Sequence, residues 1–447
     1  MRGLTLRKRA SGMALAIALA TGAVVTTGAF VAEPAHAQKK KKKEQEAKAQ
    51  YSEEFVAAYQ PLNTTVNDEA ADLAPIKPQL VALIPLSISP DEKNAAGGLI
   101  FNAGAKLNDQ ALQLQGMELM LAGGKVPLEN VGRFNFIAYQ LANGQGDFAK
   151  ARGYLQEAIN RNFTSESVNG PAMQVALAES YFSENRFKEG LGVLKAAIES
   201  QKNAGQRVDE AWYRRGLTVA YNNKVVPEVY DMTLGWIADY PSDANWRDAI
   251  NLTRNLNEFE GQELLDLFRL GRKVGALQDQ SDYDYYVESA DPRRLPKEVK
   301  DVIEEGLAAG VVSQDNLYLS EALQTANGRI QSDRAELPAL DRDASAAGAG
   351  LRTVVAAGDA FLSYGDYAKA AQFFEKALGL AGVEKERVMT RLGIAQVALG
   401  DHNAAKATFA QIGGQRGPIA RLWTTFSEMQ QGSASSASTA SASTTGN

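Results

Sequence analysis

The chain of 447 residues is 45% hydrophobic and 22% charged, which is typical of folded proteins and atypical of disordered ones. It contains no cysteine, which excludes disulfides, zinc–thiolate sites, iron–sulfur clusters and lipid-modified cysteines. The formal net charge is -6, so the chain as a whole lacks the positive charge that nucleic-acid binding usually needs, and we predict no nucleic-acid partner. With only His36 and His402 as histidines, we also predict no metal site and no cofactor.

Residues 1–37 have the pattern of a secretory signal peptide. Basic residues at the start, such as Arg2 and Arg7, precede an uncharged stretch over residues 10–32. The small residues Ala35 and Ala37 then stand where a signal peptidase reads, so we expect cleavage after Ala37. The alternative is an uncleaved anchor, since the stretch exceeds about 18 residues. Because the expected exported protein has no cysteine despite its size, we expect it to be located in a bacterial periplasm.

The two flanks of the expected mature chain should not fold. The leader 38–51 contains the lysine run Lys39 to Lys43, which is either simply solvated or a tether to anionic lipid or polymer, at about 1 kcal/mol per lysine. At the other end, residues 432–447 are only Ser, Ala, Thr, Gly and Asn, which predicts a disordered segment.

Between these flanks the predicted elements are helices. Region 52–131 should be helical with degenerate repeats, including helices over 107–122 and 128–142 separated by Gly123 and Gly124. In region 243–350, helices are expected over 245–256, 260–275, 282–290 and 296–310, and one more carries Leu319. Pro338 and the Ala/Gly-rich stretch 344–350 indicate a break.

Regions 132–242 and 351–431 carry a repeated pattern of small and large residues. The clearest unit has Gly358, Phe361, Gly365-Asp366, Ala370 and Phe374. The pattern returns 35 residues later, and weaker copies lie upstream. The later copy consists of Gly393, Gly400-Asp401, Ala405 and Phe409. The upstream copies include Tyr139, Gly146-Asp147, Ala151 and Leu155, and then Ala178, Tyr181, Asn185, Gly190 and Leu194.

This spacing resembles the tetratricopeptide-repeat (TPR) family, and the chain also resembles uncharacterised exported bacterial TPR proteins. The resemblance implies an all-α fold, an α-solenoid of stacked antiparallel helix pairs, whose first helices line a partner-binding groove. Transferred position by position, it implies groove residues at Phe136, Gln140, Glu179, Phe182, Tyr213, Arg214, Arg352, Asp359, Arg387, Arg391 and Ile394.

The residues offer little catalytic chemistry. His402 occupies a position that is aromatic in other repeats, so a packing role is expected. The acidic residues around Asp282 lack the spacing of a calcium loop, and two of Tyr283, Tyr285 and Tyr286 are expected to be buried.

We therefore predict a non-catalytic periplasmic scaffold that binds a protein or peptide, in cell-envelope assembly or maintenance. Two alternatives stay open at this point. One is an envelope tether that uses the lysine run, and the other is a carboxylate-dependent glycan-processing enzyme.

Overall fold

The computed structural model describes residues 49–166 and 168–443, with side chains up to residue 432. The predicted signal peptide and residues 38–48 of the predicted leader lie outside this part of the chain. Within it, all regular structure is helical, with twenty α-helices, two short 3-10 helices (Ala74–Ile76 and Gly414–Arg416) and no strand.

The first ten helices are α1 (Glu53–Asn67), α2 (Lys77–Leu86), α3 (Pro90–Lys106), α4 (Gln110–Gly123), α5 (Leu128–Gly144), α6 (Phe148–Asn160), α7 (Gly170–Ser183), α8 (Phe187–Asn203), α9 (Glu210–Asn222) and α10 (Glu228–Asp239). The others are α11 (Asp243–Asn255), α12 (Gly261–Lys273), α13 (Gln280–Ala290), α14 (Pro296–Ala308), α15 (Leu317–Ser345), α16 (Leu351–Ser363), α17 (Tyr367–Leu378), α18 (Lys385–Ala398), α19 (His402–Phe409) and α20 (Gly417–Ser443).

The Gly-Asp dipeptides form the turns inside the predicted repeat pairs. Gly365 has a φ of 80°, a left-handed value that costs glycine little, and it lies directly before α17. The next residue, Asp366, caps α17 by accepting a hydrogen bond from the backbone N–H of Lys369 at 3.2 Å. Asp147 and Asp401 cap α6 and α19 in the same way, which confirms the predicted turn chemistry.

Small residues let the two helices of a pair approach closely. A β-carbon at Gly358 of α16 would lie 2.6 Å from Cε1 of Phe374 of α17, which is too close for any larger residue. Gly393 and Phe409 repeat this contact between α18 and α19. The predicted repeats of 351–419 are therefore stacked antiparallel helix pairs of the TPR type.

The helix pairs form four apolar cores, one of which joins distant parts of the chain. The first two cores lie within residues 55–119 and 114–177, and a third within 265–326. The fourth contains side chains from 175–276 together with side chains from 344–423. The C-terminal pairs therefore pack back onto α10, α11 and α12, whereas a simple array contacts only its sequence neighbours.

Helix α20 makes much of this return contact, which we call the closure. Trp423 is almost fully buried, and its Nε1 donates a hydrogen bond to the backbone carbonyl of Asp266 at 3.0 Å. Phe426 meets the ring of Trp246 edge-on at 6.3 Å, and Arg421 forms an ion pair with Asp231 of α10.

Three parts of the chain differ from the sequence expectation by more than two residues. The helix predicted over 107–122 is α4, which begins only at Gln110 because Asp109 caps it. Pro338 does not break the chain but lies inside α15, which continues to Ser345. Because proline has no backbone N–H, the backbone carbonyl of Arg334 lacks its usual helical hydrogen bond. Pro338 and Arg334 are both exposed, so water can donate to that carbonyl instead.

The third difference concerns the predicted disordered segment. Helix α20 continues to Ser443, because a run of alanine and serine adds no helix breaker after Gly432. Residues 444–447 of that segment lie outside the described part.

None of the helices in the described ranges is both long and apolar enough to cross a membrane.

Candidate functional site

Two of the predicted groove residues, Glu179 and Phe182, lie together in a cleft between α7 and α9. The cleft has a volume of about 230 Å³. From α7 and the start of α8 it is lined by Glu179, Phe182, Ser183 and Phe187, and from α9 and the residue after it by Arg215, Thr218, Val219, Asn222 and Asn223. Since α7 and α9 are the first helices of successive pairs, the cleft lies where the repeat register places a groove.

An ion pair spans this cleft. Arg215 donates two hydrogen bonds to Glu179, at 2.6 and 2.7 Å, and its guanidinium lies 5.4 Å from the ring centre of Phe182. The hydrogen bond to Glu179 and the charge of that carboxylate raise the pKa of Arg215, so Arg215 carries its positive charge at neutral pH. Asn222 is exposed and its amide has no hydrogen-bond partner in the described chain.

The sequence did not predict the residues on the α9 side of the cleft. It predicted Tyr213 and Arg214, whereas the lining residues are Arg215, Thr218 and Asn222. These three polar residues recur at i, i+3 and i+7, a helical face that the sequence already contained. Tyr213 is instead buried and donates its hydroxyl hydrogen bond to Asp239.

The remaining predicted groove residues divide by exposure. Phe136 and Ile394 are buried in the cores, so they support packing and not a surface contact. Gln140, Arg214 and Arg352 are exposed, as a groove position requires.

Two of the three predicted cations of the C-terminal repeats, Arg387 and Arg391, are held by carboxylates of the protein itself, which corrects the expectation that they face a ligand. Arg391 and Asp359 are buried, and Arg391 Nη1 lies 2.5 and 2.7 Å from the two oxygens of Asp359. Arg387 is half-buried, with Nη2 3.3 Å from Asp359 Oδ2. The physical reason is that α12 packs against α18 and brings its own carboxylate, Asp266, to this face.

Asp266 is the centre of a buried charge cluster, which we call the ionic hub. Its Oδ1 lies 3.2 Å from Arg391 Nε and 3.0 Å from Arg269 Nη1, and its Oδ2 lies 2.7 Å from Arg416 Nη1. Burial alone would raise the pKa of Asp266, but Arg391, Arg269 and Arg416 lower it to about 2.

A second carboxylate completes the hub. Glu298 of α14 accepts two hydrogen bonds from Arg269, both at 2.7 Å, and a third from the hydroxyl of Tyr286 at 2.8 Å. Burial alone would raise its pKa, but Arg269 and the Tyr286 hydroxyl lower it. The hub therefore joins α12, α14, α16 and α18 through ion pairs.

The residues considered for catalysis or metal binding have structural roles. His402 begins α19 and its Nδ1 lies 2.9 Å from Ser427 Oγ. Asp282 is buried and caps α13 together with Asp279, because its carboxylate accepts hydrogen bonds from the backbone N–H groups of Gln278 and Asp279. Within residues 49–166 and 168–443 no group of three or more potential ligands could hold a metal ion.

The tyrosines of α13 divide as predicted. Tyr283 and Tyr286 are buried, and Tyr285 is exposed and stacked on Phe268.

No protein-family model and no curated protein matches the chain. Among solved structures, the C-terminal part of a TPR repeat-containing protein from Cytophaga hutchinsonii shares 12% identity, covering 64% of this chain and 98% of that one at a TM-score of 0.26. A TPR protein from Parabacteroides merdae shares 10% identity, covering 66% and 98% at a TM-score of 0.23. The maize pentatricopeptide repeat protein PPR10 shares 14%, covering 79% and 48% at 0.27.

At these sequence identities and TM-scores, the similarities do not indicate a partner or a function. The structural neighbours of the chain are TPR and pentatricopeptide-repeat proteins, and its own stack of antiparallel helix pairs is TPR-like.

Proposed function

We propose that this protein is a non-catalytic scaffold that binds a protein or peptide partner in the cleft between α7 and α9. The observation that carries the proposal is the composition of this cleft. It combines the half-buried ring of Phe187, an ion pair and the exposed side-chain amide of Asn222.

These groups suit an extended peptide. An asparagine side chain offers one carbonyl and two N–H groups, so Asn222 can both donate to and accept from a peptide backbone. Phe187 supplies the apolar contact that a side chain of the peptide needs, and the Glu179–Arg215 pair forms the polar rim.

The test is photo-crosslinking in cells. A photoreactive amino acid at position 222 should capture one defined partner, identified by mass spectrometry. The matched control carries the same residue at position 327, since Asn327 is exposed on α15 and far from the cleft in sequence. Equal capture at both positions, or none at position 222 while the partner still copurifies, contradicts the proposal.

The partner can then be titrated against Asn222→Ala and Asn327→Ala. We expect the first to weaken binding by about 1–3 kcal/mol, because a partner group loses its hydrogen bond, and the second to leave it unchanged. Arg391→Ala is unsuitable for this purpose, because that residue is fully buried.

We further propose that the protein acts in a bacterial periplasm, in cell-envelope assembly or maintenance. The support is the signal-peptide pattern of residues 1–37. Intact mass of protein recovered from the periplasmic fraction should correspond to a chain that begins at Gln38. A chain that retains residues 1–37 and sediments with membranes contradicts this.

A further inference from the structure

Helix α2 is apolar around its whole circumference, although it is only partly buried. Of its ten residues only Lys77 and Gln79 are polar. One side packs into the first core through Leu80 and Leu83, which are both fully buried, whereas Val81 is exposed. A helix that is apolar on all sides is normally covered on all sides. The exposed side of α2 therefore indicates a surface that another element covers.

The exposed side of α2 is a ridge of three apolar residues at helical spacing. Pro78, Val81 and Pro85 are all exposed, and we call them the α2 ridge. Val81, in the middle of the helix, keeps 36% of its full exposure. The ridge therefore presents apolar surface to its surroundings and carries no charge.

An apolar groove between α1 and α2 lies directly beside this ridge. Its volume is about 450 Å³, its ten lining residues are uncharged, and only Thr65 and Gln79 among them are polar. Thr65 donates its hydroxyl hydrogen to the backbone carbonyl of Pro61 at 3.0 Å, so this donor is satisfied within α1. Because Gln79, Ala82 and Leu86 of the lining each follow a ridge residue in sequence, ridge and groove are neighbouring surfaces of one helix.

The terminal segments outside the described residues do not suit this groove. In a chain that begins at Gln38, residues 38–48 are polar or charged except for Ala47, and residues 444–447 are Thr, Thr, Gly and Asn. Neither segment has a large apolar side chain, so neither gains much by entering an apolar groove. The cover of α2 must therefore come from another molecule.

We propose that the α2 ridge of one copy packs into the α1–α2 groove of a second copy, which forms a two-fold symmetric dimer. An isologous contact requires that a single surface carry both complementary halves, and here one helix carries the ridge and one wall of the groove. Since neither half is charged, the contact brings no charge out of water.

The geometry places Ala82 near the two-fold axis. Ala82 is exposed, lines the groove and directly follows Val81 of the ridge, so it lies in the middle of the combined surface. Two identical antiparallel helices meet at their middle residues, and a small residue there lets the helices approach closely. The two copies of Ala82 therefore face each other.

The proposed contact is short, which limits its strength. The ten residues of α2 span about 15 Å, so the interface is small compared with the roughly 800 Å² per partner of a stable complex. We therefore expect a dimer that dissociates on dilution. It uses none of the residues of the α7–α9 cleft and does not depend on the function proposed for that cleft.

Sedimentation velocity of the chain that begins at Gln38, from about 1 to about 500 μM, tests this proposal. The weight-average mass of the wild type should rise with concentration toward twice that of the monomer. Val81→Glu puts a charge on the ridge and should stay monomeric throughout. The matched control is Leu317→Glu at the first residue of α15, which is 77% exposed and should associate like the wild type.

Single-cysteine variants test the position of the axis, because the chain has no cysteine of its own. Under mild oxidation Ala82→Cys should form a disulfide-linked dimer at least about tenfold faster than Ala335→Cys, which places its thiol at an exposed alanine of α15. The difference should disappear when Val81→Glu is combined with Ala82→Cys.

Melting curves identify variants that fail to fold, and Val81→Gln then replaces Val81→Glu. The proposal is overturned if the wild type stays monomeric at the highest concentration, which would assign the ridge to a contact with a different protein. It is also overturned if the folded variant at position 81 associates like Leu317→Glu, or if Ala82→Cys crosslinks no faster than Ala335→Cys.

Discussion

The Nε atom of Arg391 lies 3.2 Å from Oδ1 of Asp266, although 125 positions separate the two residues in the chain. Both side chains are fully buried, so neither charge has water as an alternative partner. Removing the charged group of one residue in such a pair leaves the other charges unpaired in the low-dielectric interior, which is strongly destabilising. The contact therefore makes the closure sensitive to single substitutions in the hub.

Asp266→Asn should lower the free energy of unfolding by about 3–5 kcal/mol, because three guanidinium groups lose their shared carboxylate. Urea unfolding at pH 7 followed by circular dichroism measures the loss. The matched control is Asp341→Asn, which breaks a partly exposed pair with Lys369 and should cost about 0–1 kcal/mol. Equal losses in the two variants would show that the hub is not a stabilising centre.

Deleting residues 417–447 should affect helices far from the deletion. In an array that contacts only its neighbours, the effect would end within α18 and α19. Here α20 packs on α10 and α12, so backbone amides of 228–239 and 261–273 should exchange faster with deuterium. A deletion of residues 433–447 alone is the control and should leave those amides protected. Faster exchange confined to α18 and α19 would contradict the closure.

Gly358→Ala should destabilise the C-terminal repeats by about 1–3 kcal/mol, because the added methyl group overlaps the ring of Phe374. Gly153→Ala is the matched control. Its β-carbon would meet nothing within 4 Å inside α6, and the change should stabilise the protein by about 0.5–1 kcal/mol. Thermal melting of both variants checks the opposite signs, and a stabilised Gly358→Ala would mean that the helix crossing is misplaced.

The stability of the N-terminal helices should depend on pH through Glu92. Burial alone would raise the pKa of this carboxyl, but hydrogen bonds from Ser52, Ser89 and Ile88 lower it to about 2. Because the folded pKa lies below the unfolded value of about 4.5, the stabilisation is complete above pH 4.5 and is lost as the pH falls toward 2.

Urea unfolding of Glu92→Gln between pH 7 and pH 3 measures this contribution. The variant should be less stable than the wild type at pH 7, and the difference should shrink as the pH falls. Glu54→Gln, at an exposed position of α1, should show no such convergence. A constant gap between the wild type and Glu92→Gln would contradict the assignment.

The local sequence pattern was enough to predict the helix pairs, but it did not predict that the C-terminal pairs pack back onto α10, α11 and α12. Gly358, Gly365 and Phe374 indicate a pair because their spacing alone determines which helix faces meet. The meeting of Asp266 and Arg391 has no such signal, since periodicity within one helix carries no information about a partner 125 residues away. For the same reason Arg391 was predicted to be on a groove surface, although α12 covers it.

The candidate cleft was predicted in part. Glu179 and Phe182 were predicted because α7 follows the repeat register, whereas on α9 the predicted residues were Tyr213 and Arg214 and the cleft is lined by Arg215.

Helix α15 is anchored at both ends in different cores. Leu319, Ala322 and Ala326 belong to the core of α12–α15, while Ala344 belongs to the core that contains the closure. Its 29 residues span about 43 Å, and most side chains between the two anchors are exposed. Because each inserted residue turns a helix by about 100°, one insertion would rotate one anchor away from its core. The middle of α15 should thus vary freely in amino-acid identity during evolution while its length stays fixed.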